Sequence, residues 1–493
     1  MVSSRRTARR PLVCQRGASS PPVGLPLGPL LAAGRGAPAV GPAAPDRLGG
    51  HALSASVPGG RRRLRTLLTG PMAGTHRPRP PMPTLTEAGP DEQQRQDFLR
   101  AVIRGFHSDN LSLDRWDLDR RLFEFDRCFG FTVDGRWVAT CAAYTRQLTT
   151  PGGSVPIGAV TTVTVAPTHR RRGLLTAMMR HQLADLHRRQ EPVALLWASE
   201  SSIYGRFGYG SAVPRLLVSG QTRDLEFGPW AEVGDGWVEE VTKEEFAAAT
   251  PTLHARLLPD RPGALDRPAV FWERDLLDRP EDRHGSPAVR YALYSAASGE
   301  LAGYARFKVR SDWNGEQVAG EVEVVEIDAV DTPARAALWR FLLDLDLIRR
   351  LKLSSVAIDE PLRHLLADPR ALDMVFSDSV YVRIVDLPRA LQSRRYSTAL
   401  DLVIEVCDQL LEHNQGVFRI VAEAGSPAQV TRVENRQPDL RLGIRELGAI
   451  YLGGVSLAAL HRAGLVTEHT PGSVAEMALA FDWPIKPYCP DNF

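Results

Sequence analysis

From residue 87 onward the apolar positions switch between a spacing of two and a spacing of three to four, while residues 1–86 sustain neither. Phe98, Leu99, Val102, Ile103 and Phe106 give a helical stripe. Residues 129–133 and 137–144, joined by Asp134-Gly135, predict a hairpin with a favourable turn dipeptide. A strand-rich stretch then runs to Val165, followed by a turn opened by Pro167 and a basic loop containing Gly173. Leu174, Leu175, Met178, Met179, Leu183 and Leu186 next make the stripe of a helix. Residues 193–197 predict a short buried strand, and 203–209 a turn or short helix. The order is strand, strand, strand, loop, helix, strand.

A Gly-rich shift near residues 228–236 opens a second unit. Residues 291–294 and 301–309 predict a hairpin around Ser298-Gly299, residues 322–327 a strand, and 334–348 an amphipathic helix. The strand-to-helix connection at residues 328–333 (DAVDTP) has no glycine or arginine and carries two acids, so it should not hold an anion. This unit is either a degenerate copy of the first or an unrelated α/β unit. A third unit begins near Arg383, with strands at 402–407 and 417–421 and helices at 456–462 and 472–481. The expected fold is α/β with mixed sheets in units 87–227, 228–382 and 383–493, because 493 residues exceed one core.

Composition changes the picture little: 43% hydrophobic and 24% charged residues describe an ordinary globular chain. No window supplies eighteen uninterrupted apolar residues, which argues against a spanning helix. Five scattered cysteines without a C-x-x-C pair argue against a disulfide framework or zinc site and suit a reducing cytosol. Charge is uneven. Residues 1–80 hold thirteen arginines, no lysine and the single acid Asp46, about +12, so a whole-chain charge of +2 leaves the body at about −10. An acidic body favours a cationic substrate. The first 86 residues, dense in Arg, Pro, Gly and Ala, are expected to be disordered. They are read as upstream of a true start at Met72 or Met82, as a native tail, or as an export signal. They contain no Phe, Tyr or Trp to stack on bases, which argues against nucleic-acid binding.

The chemistry concentrates in VAPTHRRRGLL (165–175) and ASESSIYGRFGYG (198–210). Arg-Arg-Gly at a helix start combines unpaired N–H groups, a positive dipole end and guanidiniums at a point where glycine lets a ligand approach; this suits a pyrophosphate. The loop by itself fits a solvated basic turn equally well. The two motifs together resemble the R-R-x-G-x-G/A loop and following strand of the GNAT acetyltransferases and, more narrowly, the Eis (enhanced intracellular survival) family of actinobacteria. Leu175 departs from the small residue usual in GNATs but matches the Eis-like Gly-Leu-Leu. LGIRELGAIYLGG (442–454) resembles the sterol-carrier-protein-like domain that ends Eis proteins.

The resemblance implies two tandem GNAT-like domains plus a C-terminal sterol-carrier-like domain, acting as an acetyl-CoA-dependent N-acetyltransferase by direct transfer, with no metal. It implies aminoglycoside, polyamine-like or lysine amines as acceptors, a cytoplasmic homohexamer, and no membrane or nucleic-acid partner. Two rivals are a protein-lysine acetyltransferase and a non-catalytic acyl-CoA- or lipid-binding regulator. By the same resemblance Val163, Thr164 and Val165 offer strand backbone to the cofactor; Arg171, Arg172, Gly173, Leu174, Leu175 and Thr176 cradle its pyrophosphate; and Ser199 and Glu200 add contacts. Tyr204 falls at the general-acid position, ahead of the chemically similar Tyr209, although its bare sequence fits a packing aromatic. The resemblance implies the terminal carboxylate of Phe493, approached through Pro487 and Pro490, as the base; the residues alone also fit a frayed end. Asp109 and Trp116 are candidate cation contacts, or else a surface acid and a core indole.

Overall fold

The computed structural model describes residues 82–108, 115–283 and 285–493. The expectations for residues 1–81 and for Asp109 lie outside these. The chain opens with β1 (Thr84–Glu87), α1 (Glu92–Gly105) and α2 (Trp116–Leu122), then β2 (Phe129–Val133), β3 (Arg136–Thr150) and β4 (Gly153–Val165). Next come α3 (Leu174–Arg188), β5 (Val193–Trp197), α4 (Ser201–Tyr204), β6 (Gly210–Ser211) and β7 (Pro214–Gln221). Residues 84–86, assigned by sequence to the tail, instead form β1 and pair antiparallel with β2. Four residues are too few to show a period.

Asp91 caps α1 by accepting from the Gln94 amide at 2.8 Å, and Phe98, Leu99, Val102 and Ile103 face inward as the stripe requires. The hairpin turn has Asp134 and Gly135 at φ 49° and 75°, the left-handed pair that matches strand twist.

The second half contains β8 (Trp237–Val241), α5 (Lys243–Leu257), α6 (Ala269–Asp275), β9 (Val289–Ser295) and β10 (Leu301–Arg310). A small hairpin, β11 (Trp313–Asn314) and β12 (Gln317–Val318), leads to β13 (Gly320–Ala329), α7 (Thr332–Leu343), β14 (Ile348–Val356), α8 (Leu362–Leu365), β15 (Leu372–Asp378) and β16 (Val380–Ile384). The predicted helix over 334–348 ends at Leu343: Leu345 and Ile348 keep helical spacing, but Leu347 turns at φ 63° and Ile348 starts β14.

The two large sheets exchange strands. The first has the order β1-β2-β3-β4-β5-β16-β6 and the second β15-β7-β14-β13-β10-β9-β8. Thus β7, before the compositional shift at 228, belongs to the second sheet, and β16, at the far end of the second unit, inserts between β5 and β6.

The third unit comprises α9 (Leu387–Gln392), β17 (Leu400–Cys407), β18 (Gly416–Ala422), β19 (Gln429–Arg432), β20 (Leu440–Gly443), α10 (Ile444–Ile450), α11 (Leu457–Arg462), β21 (Val466–Glu468) and α12 (Ser473–Phe481). Its sheet runs β19-β18-β17-β20-β21. α10 lies against the first sheet at backbone distance. A Cβ on Gly448 would stand 2.5 Å from the Val382 carbonyl oxygen, and one on Gly210 would stand 2.1 Å from that of Arg445. Gly448→Val is therefore expected to cost about 3 kcal/mol, at the upper end of overpacking, because backbone must move. Chemical denaturation would check it, and an unchanged midpoint would refute the tight crossing.

Candidate active site

β4 and β5 run parallel through only three pairs, from Ile157↔Val193 to Ala159↔Leu195. β4 then continues to Val165 while β5 ends at Trp197, so the two strands part and leave a wedge. The parting coincides with an irregularity: the β3–β4 register shifts between Thr140 and Ala142, and Thr162 sits at φ 53°. Past that point β4 backbone has no β5 partner and can pair with an extended ligand. Val163 and Val165 pack their side chains into the cluster that holds α3. Thr164 is buried, with its hydroxyl 2.6 Å from that of Thr140, so only its backbone is available.

The basic loop follows directly. Gly173 is the residue before α3, at φ 80°, and a Cβ there would meet nothing within 4 Å. Its glycine is required by the left-handed conformation, and the space in front of it is open. The first intrahelical bond from this turn runs from the Ala177 amide to the Gly173 carbonyl at 3.0 Å, which leaves the amides of Leu174, Leu175 and Thr176 without an intrahelical partner. Arg171 and Arg172 are exposed beside them. Three free donors, the positive end of a four-turn helix and two guanidiniums fit a diphosphate group. The corresponding start of α7 is closed, because the Asp331 carboxylate accepts from the Ala334 amide at 2.8 Å and Thr332-Pro333 follow.

Ser199 and Glu200 are exposed after β5, with Glu200 immediately before α4. Tyr204 ends α4 at 6% exposure within the core cluster under α3, its ring edge-on to Tyr209 at 5.9 Å. Burial, with smaller contributions from Cys141 and Glu200, pushes its phenol well above the usual range, so it holds its proton. Tyr209 is wholly buried, and its hydroxyl has no hydrogen-bond partner among the described residues. Trp116 donates its indole N–H to Glu92 at 2.8 Å and packs near Phe125, a docked indole between α1 and α2.

A cleft opens between the two halves, lined by Val102, Tyr144, Thr161 and Thr162 from the first and by Arg267, Arg274, Asp275, Arg306, Val325 and Glu326 from the second. Pro490, Asn492 and Phe493 complete it. Phe493 is 8% exposed, so the chain end is seated rather than frayed, and it shares the cleft with the β4 irregularity. Trp197, the last residue of β5, donates to the Asp491 carbonyl at 3.0 Å. The structure thus brings Phe493, β4 and β5 together. Tyr204 sits in the α3-side cluster, and no described hydrogen bond joins it to the chain end.

Sequence reasoning missed the charged network in this cleft. Arg267 bonds Asp491 at 3.0 Å and Glu326 at 3.1 Å, Arg306 bonds Glu326 at 3.0 Å, and Arg274 contacts Asp275 at 2.7 Å. Tyr304 also donates to Glu326, at 3.0 Å. Burial alone would raise the Glu326 carboxyl, but Arg267 and then Arg306 hold it at about 2. The acidic average of the body therefore does not describe this cleft, whose lining acids Asp275 and Glu326 are both paired with arginines.

Residues 90–212 and 263–384 each match an acetyltransferase (GNAT) domain, and residues 387–490 match a sterol carrier protein domain. The second half is thus a GNAT domain rather than an unrelated unit, and the molecule is a tandem GNAT acetyltransferase carrying a sterol-carrier-like domain. An uncharacterized N-acetyltransferase of Streptomyces avermitilis is 38% identical over 80% of this chain and 95% of its own. The N-acetyltransferase Eis of Mycobacterium tuberculosis is 33% identical over 64% of this chain and 76% of its own. The crystal structure of Eis1 from Mycobacterium abscessus superposes with a TM-score of 0.71 at 31% identity, covering 83% of this chain and all of that one. The chain belongs to the Eis family of N-acetyltransferases. Among the described residues no helix is long and apolar enough to cross a membrane.

Proposed function

We propose that this chain acetylates primary amines by direct transfer from acetyl-CoA, using the first GNAT half alone for the cofactor. The observation that carries this is the open start of α3, with unpaired amides at Leu174, Leu175 and Thr176 directly after the strand that parts from β5. Acetyl-CoA supplies the activated acyl group. Arg171, Arg172 and Gly173 complete the anion cradle, the β4 backbone at Val163, Thr164 and Val165 orients the extended arm, and Ser199 and Glu200 flank it. Tyr204 holds a proton at its Oη for the departing sulfur, and the Phe493 carboxylate takes one from the acceptor ammonium.

The resemblance to the Eis family suggests aminoglycosides, polyamines or lysine amines as acceptors. For this chain the committed state of Asp275 and Glu326 favours a single amine on an apolar carrier, such as a lysine side chain, over a polycation. Purified protein incubated with acetyl-CoA and a panel containing a lysine peptide, spermidine and an aminoglycoside, with products read by mass spectrometry, tests both statements. Product from none of them would overturn the proposed activity, and preference for the polycations would overturn only the acceptor preference.

The cradle is tested separately. Gly173→Asp forces a side chain into a left-handed position and sets a negative charge among the amides. Acetyl-CoA affinity, measured by titration, is expected to fall at least about tenfold, some 1.4 kcal/mol. Unchanged affinity in a folded variant would move the site elsewhere.

A further inference from the structure

The second GNAT half has its own wedge. β13 and β14 run parallel from Gly320↔Ile348 to Val324↔Leu353; β13 continues to Ala329 and β14 to Val356. This is the arrangement of β4 and β5, followed here by α7. A narrow crevice lies in it, lined from β13 by residues 324–328, from β14 by Leu353, Ser355 and Val356, and from α7 by Arg335. Tyr488 and Pro490 of the carboxy-terminal segment also line this crevice.

That segment is held at Lys486, Tyr488 and Asp491. The Lys486 amide donates to Asp359 at 2.9 Å, and the Lys486 carbonyl accepts from Arg261 at 3.0 Å. The Tyr488 amide donates to the Pro262 carbonyl at 2.9 Å, and its hydroxyl to the Ser355 carbonyl at 3.0 Å. Gly263, at φ 91°, lets this backbone pass: a Cβ there would stand 3.1 Å from the Tyr488 carbonyl oxygen. Three residues on, Asp491 pairs with Arg267 at 3.0 Å and lies 3.8 Å from Arg146, while its carbonyl accepts from Trp197. Phe493 then stands in the first cleft.

We infer that the second GNAT half is a mount for the chain end: its wedge, empty of any anion cradle, grips Tyr488, and Tyr488 and Asp491 are positioning residues for the Phe493 carboxylate. Neither residue needs to touch acceptor or cofactor, and both act through the place they give to Phe493. This rests on the proposed role of that carboxylate.

The test is Tyr488→Leu, which keeps apolar volume in the wedge but loses the hydroxyl anchor, with Tyr488→Phe as the gentler variant should leucine fail to fold. The first readout needs no turnover. Carboxypeptidase treatment followed by mass spectrometry is expected to leave the wild-type end intact, because Phe493 is buried, and to release Phe493 from the variant. The second is kinetic: kcat is expected to fall about tenfold with acetyl-CoA affinity unchanged within twofold, and the acidic limb of the pH–rate profile to move. Equal resistance to carboxypeptidase in wild type and variant would overturn the inference, as would a wild-type kcat in a variant whose end is released. Released Phe493 with full activity would also remove the carboxylate from the mechanism. A C-terminally extended wild-type enzyme separates the two failures, since it removes the charge from its place without touching the mount.

Discussion

Appending one or two residues after Phe493 is expected to abolish acyl transfer while leaving acetyl-CoA binding and thermal stability nearly intact. Under the proposed roles the base is a main-chain carboxylate, so its position matters and the side chain that carries it matters less. Each added residue carries the charge about 3.5 Å further along the chain, beyond hydrogen-bond reach of an amine held at the original place. The anchors upstream of it, from Lys486 to Asp491, are untouched by such an extension, and the proposed cofactor cradle at Gly173 lies on another element. Phe493→Ala is expected to be milder, since the carboxylate remains and only the buried ring is lost. Steady-state turnover of tagged and untagged enzyme, with a melting curve for each, makes the comparison. If the tagged enzyme turns over at the untagged rate, the carboxylate is not the base, and Glu200, exposed just before α4, is the next residue to replace.

How much of this was readable beforehand depended on distance along the chain. The β2–β3 hairpin was legible because Asp134-Gly135 encodes its turn locally. The open start of α3 was legible because strand, glycine and helix stripe adjoin one another between Val163 and Leu186. The strand exchange was not: no local pattern tells Val380–Ile384 to insert beside β5, since a buried strand reads the same in either sheet. The cleft's charge network was equally hidden. Arg267 and Asp491 are 224 residues apart, and Trp197 and Asp491 are 294 apart, so their pairing exists only once both GNAT halves and the chain end have met. Summed charge could not show this for the same reason, because it averages exposed acids with Asp275 and Glu326, which pair with arginines.

Tyr204→Phe is expected to lower kcat by roughly 10²–10⁴-fold while preserving the fold and acetyl-CoA affinity, the range a general acid supplies. The ring stays in the cluster beneath α3, edge-on to Tyr209, and no described residue accepts a hydrogen bond from the Tyr204 hydroxyl, so its removal breaks no partnership that supports the fold. The pH dependence follows from the direction of its shift. Burial raises this phenol above its ordinary value near 10, so it keeps its proton throughout the neutral and mildly alkaline range. The wild-type rate is therefore expected to show no alkaline decline assignable to Tyr204 below about pH 10. Tyr209→Phe serves as the control, since that hydroxyl is sealed in the core without a partner among the described residues and should contribute little to turnover. A Tyr204→Phe enzyme that keeps more than half the wild-type kcat, with acyl transfer shown to be the slow step, would make Tyr204 a packing residue and leave the departing sulfur to draw its proton from solvent.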